Sequence, residues 1–122
     1  MRSIFQKYES MPFDYGIADC CQFVGECVES MRGYNPVKPF EYDTEGEANE
    51  LIGSYGNLRS LVTETMGKPC AFADRRDGDI AIYEQTDGSQ ILGVVDGDEV
   101  VLRSMKGLVR WPIRHASAIW ST

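Results

Sequence analysis

The sequence predicts an α+β domain in which N-terminal helices pack on a C-terminal antiparallel β-meander. Up to about residue 68, apolar residues recur at the three- and four-residue spacing of amphipathic helices. From about Cys70 they form strand-like runs separated by turn sequences such as Asp96-Gly97-Asp98, and short connections join antiparallel neighbours. With 122 residues and no linker or repeat, we expect one domain over residues 1–122, with the helices in residues 1–68 and the β-sheet in residues 69–122.

Two helices are expected in the first third of the chain. The first covers Ser3 to Ser10 and ends at Met11-Pro12, because the residue before a proline avoids helical torsions. The second opens at Asp19, which Gln22 follows at the spacing of a capping box. Gly33 then provides a left-handed C-terminal cap. The expected buried stripe of this second helix is Cys20, Phe23, Val24, Cys27, Val28 and Met31.

Two more helices and five strands follow. Thr44 with Glu47 repeats the capping-box pattern and opens a third helix. Asn57 caps a fourth helix, which Gly67 and Pro69 end. The β-rich runs are Ile80–Glu84, Gln90–Val95, Glu99–Arg103, Leu108–Ile113 and a last short strand, Ala118–Trp120. Proline inside the fourth run suggests an edge strand or a bulge.

Composition excludes some classes of function. The net charge is −7, and such an acidic protein lacks the dominant basic face of a nucleic-acid binder. No apolar run is long enough for a membrane span, and the N-terminus does not have the pattern of a signal peptide. All 19 acidic residues lie at or before Glu99, so the last 23 residues carry only basic charges. This basic region is either a solvated strand surface or an interface to an acidic neighbour.

The four cysteines do not form a metal-binding pattern. They are Cys20, Cys21, Cys27 and Cys70, and no two have CxxC spacing, so we expect neither a zinc site nor a cofactor. The default interpretation is that all four are free thiols. Cys20 differs in its position, because a helix start favours the thiolate form of a cysteine while the neighbouring Asp19 opposes it.

The order of motifs resembles a known family. A PFxYGxxDC start at Pro12–Cys20 is followed by a GD-led strand, Gly78–Ile82, and by a strand with a central glycine, Ile91–Val95. This order resembles the NlpC-type cell-wall cysteine peptidases, which have a papain-like fold. Together with the closing GL...PI...A.AW pattern, it resembles more narrowly a family of short phage and prophage tail proteins derived from that fold.

The resemblance assigns roles to particular positions. In such a peptidase a cysteine attacks a peptide carbonyl, and a histidine that a third group orients moves the proton. Cys20 falls on the nucleophile, but the histidine position is Ile91, and the orienting group falls near Leu102 or Arg103. The tyrosine of the upstream turn falls near Phe13. His115 is the one histidine in the chain, so it is the sole candidate for a base.

Two functions from different classes are therefore considered. The resemblance implies a structural component of a phage tail tip or hub, made in the host cytoplasm and built into the virion, which binds other tail proteins. It has lost hydrolysis, so we expect it not to be an enzyme. The alternative is a cysteine hydrolase, an amidase or endopeptidase, acting on bacterial peptidoglycan with Cys20 as nucleophile and His115 as base. A third hypothesis is a thiol-based binding module.

Overall fold

The computed structural model describes residues 1–122 and confirms the α+β prediction. Four helices precede a five-stranded antiparallel sheet. The helices are α1 (Arg2–Ser10), α2 (Cys20–Arg32), α3 (Glu45–Ser54) and α4 (Leu58–Met66). The strands are β1 (Ile80–Glu84), β2 (Gln90–Asp96), β3 (Glu99–Ser104), β4 (Gly107–Pro112) and β5 (Ala118–Trp120). Two short 3₁₀ helices, Phe72–Asp74 and Ile113–His115, lie before β1 and between β4 and β5.

The sheet has the spatial order β4-β3-β2-β1-β5. Strands β1 to β4 form the predicted meander, and β5 returns to pair with β1 on the opposite side. The fourth strand was expected to include Ile113, but it ends at Pro112. The physical reason is that the chain turns into the second 3₁₀ helix there, in which the amide of Ala116 donates to the carbonyl of Ile113.

The sheet separates two buried clusters. Partners across β1 and β2 alternate between the two faces: Ile82 and Leu92 point towards the helices, whereas Tyr83 and Ile91 point away from them. We call these sides the helix face and the far face. The helix-face cluster combines side chains of α1, α2 and α4 with those of the sheet, and the far-face cluster is completed by Ile113 and residues beside it.

Helix α2 lies against the helix face with the predicted caps. Asp19 is its N-cap, and Gly33 has a left-handed φ of 87° with its amide donating to the carbonyl of Glu29. The expected stripe is buried in its centre but not at its ends. Cys20 is partly exposed, and Met31 is 38% exposed because its side chain lies over Gly78 instead of entering the core.

Candidate functional site

The start of α2 is held by the carboxylate of Asp19. This side chain is buried and accepts hydrogen bonds from the amides of Gln22 and Gly16, each at 2.8 Å, and from the hydroxyl of Tyr42 at 2.9 Å. The capping box is only half formed, since the side chain of Gln22 donates to Tyr42 at 3.4 Å and not to the N-cap backbone. Asp19 therefore joins three segments around the first turn of α2.

Two adjacent thiols occupy that first turn. Cys20 and Cys21 are both partly exposed. Interaction with the neighbouring thiol of Cys21 lowers the pKa of Cys20, although burial and the charge of Asp19 oppose the shift. The pKa of Cys21 is raised well above its ordinary value, first because of the same interaction and then because of burial. Cys20 is thus the more readily ionised of the two.

The third cysteine of this helix has a different environment. Cys27 is completely buried in the helix-face cluster, and burial raises its pKa to about 12. Its thiol therefore stays protonated at neutral pH. This is the inert core role that the sequence indicated for Cys27.

A mostly apolar cavity of about 220 Å³ opens beside Cys20 and Cys21. It lies between α2, α3, α4 and the helix face of β1 and β2, and 16 of its 21 lining residues are hydrophobic. Its polar groups at the α2 end come from Tyr15, Asp19 and Tyr42. Burial raises the pKa of both tyrosine hydroxyls, so they remain neutral donors.

The sheet presents no base to this cavity. The side chains that line it from β1 and β2 are those of Ile80, Gln90 and Leu92. Ile91, the position to which the resemblance assigns the histidine, packs in the far-face cluster and points away from α2. The amide oxygen of Gln90 accepts from the backbone of Arg59 at 3.1 Å, and an amide side chain does not titrate near neutral pH.

The position of the orienting group is occupied by a buried cation. Leu102 belongs to the far-face cluster, whereas Arg103 lies on the helix face and is only 3% exposed. Its guanidinium donates to the carbonyls of Tyr8 (2.7 Å), Met11 (2.5 Å) and Ala18 (3.2 Å). Arg103 thus fastens the end of α1 and the turn before α2 to the sheet, and it supplies no acceptor for a histidine.

The structure does not bring His115 to Cys20. His115 is exposed at the end of the second 3₁₀ helix. Ile113, the first residue of that helix, packs in the far-face cluster, on the side of the sheet away from α2. His115 is also not among the residues that line the cavity. Phe13, near which the upstream tyrosine was expected, packs edge-on against Tyr15, which does line the cavity.

The comparison with protein families covers the same residues that form the site. The family model described as a domain of unknown function, DUF6950, matches residues 1–122. The chain belongs to the DUF6950 family. No curated protein matches it. Helices, sheet and cavity all lie within the matched range, so the site is built from the DUF6950 domain alone.

Sequence reasoning missed two members of this DUF6950 site. No role was predicted for Tyr42, since no local pattern indicated that its hydroxyl would reach Asp19. Cys21 was predicted to be a free thiol like the other cysteines, although its adjacency to Cys20 was a signal that the two thiols would interact. No group of three or more His, Cys, Asp or Glu side chains is arranged to hold a metal ion. None of the helices combines the length and apolar character needed to cross a membrane.

Proposed function

We propose that this DUF6950 protein is a structural component of a phage tail tip or hub, built on a peptidase-like fold that no longer hydrolyses peptides. The observation that supports this most is the wall that the sheet contributes to the cavity beside Cys20, made by Ile80, Gln90 and Leu92. Amide hydrolysis needs a base to take the thiol proton and an acid to protonate the leaving amine. None of these three side chains does either, and His115 lies elsewhere.

Support for a phage tail comes from the order of the sequence motifs between Pro12 and Trp120, which resembles that of short tail proteins. An assembly role also fits the free edge of the sheet. Strand β4 ends the sheet, and no backbone group pairs with its outer side. The other edge, β5, has only three residues, and the amide of Cys70 donates to Ile119 beside it. Strand β4 is therefore the more open edge for pairing with a partner.

The β4 edge has the chemistry of a docking site for an acidic strand. Met105, in the turn before β4, is 69% exposed, and Val109 in the strand is 36% exposed. Lys106 and Arg114 are exposed and form no ion pair, whereas Arg110 is already paired with Asp96 at 2.9 Å. Two unpaired basic residues at the ends of an open strand favour a partner strand with acidic residues.

The experiment that tests this role is proteomic analysis of gradient-purified phage particles from the source strain. We expect the protein in the particles at a fixed ratio to the other tail proteins. Lys106→Glu combined with Arg114→Glu should reduce incorporation, while Lys38→Glu, the same charge change at an exposed residue outside the sheet, should not. A protein that stays in the soluble lysate while intact particles lack it would overturn the proposal.

The hydrolase remains the second candidate because Cys20 has a lowered pKa and borders a cavity. Purified protein is incubated with peptidoglycan beside the Cys20→Ala and His115→Ala variants. Release of peptide fragments that requires Cys20 would establish the hydrolase, and the His115 variant would show whether that histidine takes part.

A further inference from the structure

The cavity beside Cys20 combines three features that the proposed structural role does not use. It has apolar walls, a thiol at one end, and two backbone donors next to that thiol. The amides of Cys20 and Cys21 are the first two of α2; neither donates to a carbonyl or carboxylate of the protein, and both help to lower the pKa of Cys20. Unused amides at a helix start are the type of donor that holds the oxygen of an attacked carbonyl.

We propose that Cys20 accepts an acyl group from an acyl thioester and that the cavity holds the acyl chain. In this step the thiolate sulfur of Cys20 attacks the thioester carbonyl carbon, a new carbon–sulfur bond forms, and the bond to the donor's sulfur breaks. The proton of Cys20 passes to solvent, and the departing thiolate takes one from solvent. The products are S-acylated Cys20 and a free thiol.

This chemistry suits a site without histidine. A thiolate leaves a tetrahedral intermediate without being protonated first, so no general acid is needed, in contrast to an amine. No general base is needed either where part of the nucleophile is already ionised. The neighbouring thiol of Cys21 and the two amides at the start of α2 lower the pKa of Cys20 in that direction. Thioester exchange therefore needs only groups that this chain places around Cys20.

The size and walls of the cavity define the acyl chain. At about 30 Å³ per heavy atom, the volume of a water molecule in the liquid, a cavity of about 220 Å³ holds about seven such atoms. The walls are apolar side chains from α2, α4 and β2, including Val24, Val62 and Leu92, and these favour an unbranched hydrocarbon over a polar acid. A medium-length hydrocarbon acyl chain fits best.

The test uses wild-type protein with octanoyl- and acetyl-N-acetylcysteamine, two small thioesters that share the same leaving thiol. Acylation of each cysteine is followed by mass spectrometry of peptides. Cys70 is partly exposed but does not line the cavity, so it serves as a reference within the same molecule. We expect Cys20 to react faster than Cys70, with a preference for octanoyl over acetyl of at least about tenfold, because each buried methylene favours binding by about fourfold.

Two variants separate the thiol chemistry from the chain-binding role of the cavity. Cys20→Ser should remove the fast reaction and leave only slow acylation of Cys21 and Cys70. Ala48→Leu adds side-chain volume at a residue that lines the cavity, and it should reduce octanoylation of Cys20 while leaving its acetylation unchanged. The proposal is overturned if wild-type Cys20 stays unmodified, if it reacts no faster than Cys70, or if it shows no preference between the two chains. These wild-type outcomes do not depend on the folding of any variant.

Discussion

Replacing Arg103 with methionine should strongly destabilise the fold. Methionine has a similar length but removes a guanidinium that is 3% exposed and donates to three backbone carbonyls. Two of these, from Tyr8 and Met11, belong to the end of α1, where carbonyls lack partners within the helix. The guanidinium also lies 5.8 Å from the ring centre of Tyr8 and 5.9 Å from that of Phe13.

The magnitude follows from these contacts. A hydrogen bond from a charged donor contributes about 1.5 to 3 kcal/mol, so three contribute about 4.5 kcal/mol or more before the desolvation of the buried cation is subtracted. We expect the free energy of unfolding to fall by about 3 to 5 kcal/mol, because buried carbonyls lose their partner. For a domain of this size that corresponds to a lower Tm by about 10 to 20 °C.

The assay is urea and thermal unfolding followed by far-UV circular dichroism. Arg59→Met is the matched control, because Arg59 forms an ion pair with Glu84 at 3.5 Å between two solvent-exposed side chains. Loss of this exposed ion pair should change the free energy of unfolding by less than about 1 kcal/mol. Arg103→Lys should fall between the two, because one ammonium group does not span three separate carbonyls as a guanidinium does. If Arg103→Met is as stable as Arg59→Met, the role assigned to this guanidinium is wrong.

Three other predictions concern the start of α2. Gly16→Ala should lower the free energy of unfolding in urea by about 2 kcal/mol or more, because the added Cβ would lie 2.1 Å from a carbonyl oxygen of the loop before α3. Gly33 has a similar φ but open space around it, so Gly33→Ala should lower the free energy of unfolding by only about 1 kcal/mol. The rate of Cys20 alkylation by iodoacetamide should rise at a lower pH than that of an ordinary thiol. Cys21→Ser should change the pH at the midpoint of this rise, and an unchanged midpoint would contradict the interaction between the two thiols. Asp19→Asn should shift the alkylation midpoint of Cys20 to still lower pH, because it removes a negative charge that opposes the thiolate; a shift to higher pH would refute this reasoning. The same change alters the N-cap of α2 and should lower the free energy of unfolding by about 1 kcal/mol.

Local patterns were enough to predict the elements of this fold. The caps of α2 at Asp19 and Gly33 are set by residues within a few positions of each other, and both are confirmed. The strands are separated by turn sequences that can be recognised one at a time. All five strands are confirmed, and where their ends differ from the expected ones, as at β2, β3 and β4, they differ by one residue. Short-range chemistry determines such features, so a single sequence is sufficient.

The candidate site depended on information that local patterns do not contain. Motif spacing pointed to Ile91 as the residue opposite Cys20, but a shift of one residue in a strand exchanges its two faces, and Leu92 is the side chain that lines the cavity. The partners of Arg103 lie 85 to 95 positions earlier in the chain, and each is a backbone carbonyl that carries no side-chain signal. The role of this arginine was therefore visible only in three dimensions.

The three bonds of Arg103 also have a consequence for the order of folding. The segment before α2 cannot be fixed in place until β3 has been synthesised, because the residues that hold it are separated by most of the chain. Closing such a long loop carries an entropic penalty that local helix formation avoids. During translation, α2 is synthesised well before the strands that cover it, and the surroundings of its thiols become ordered only when the sheet assembles. A ribosome-bound chain that stops before β3 should therefore leave Cys20 open to any thiol reagent.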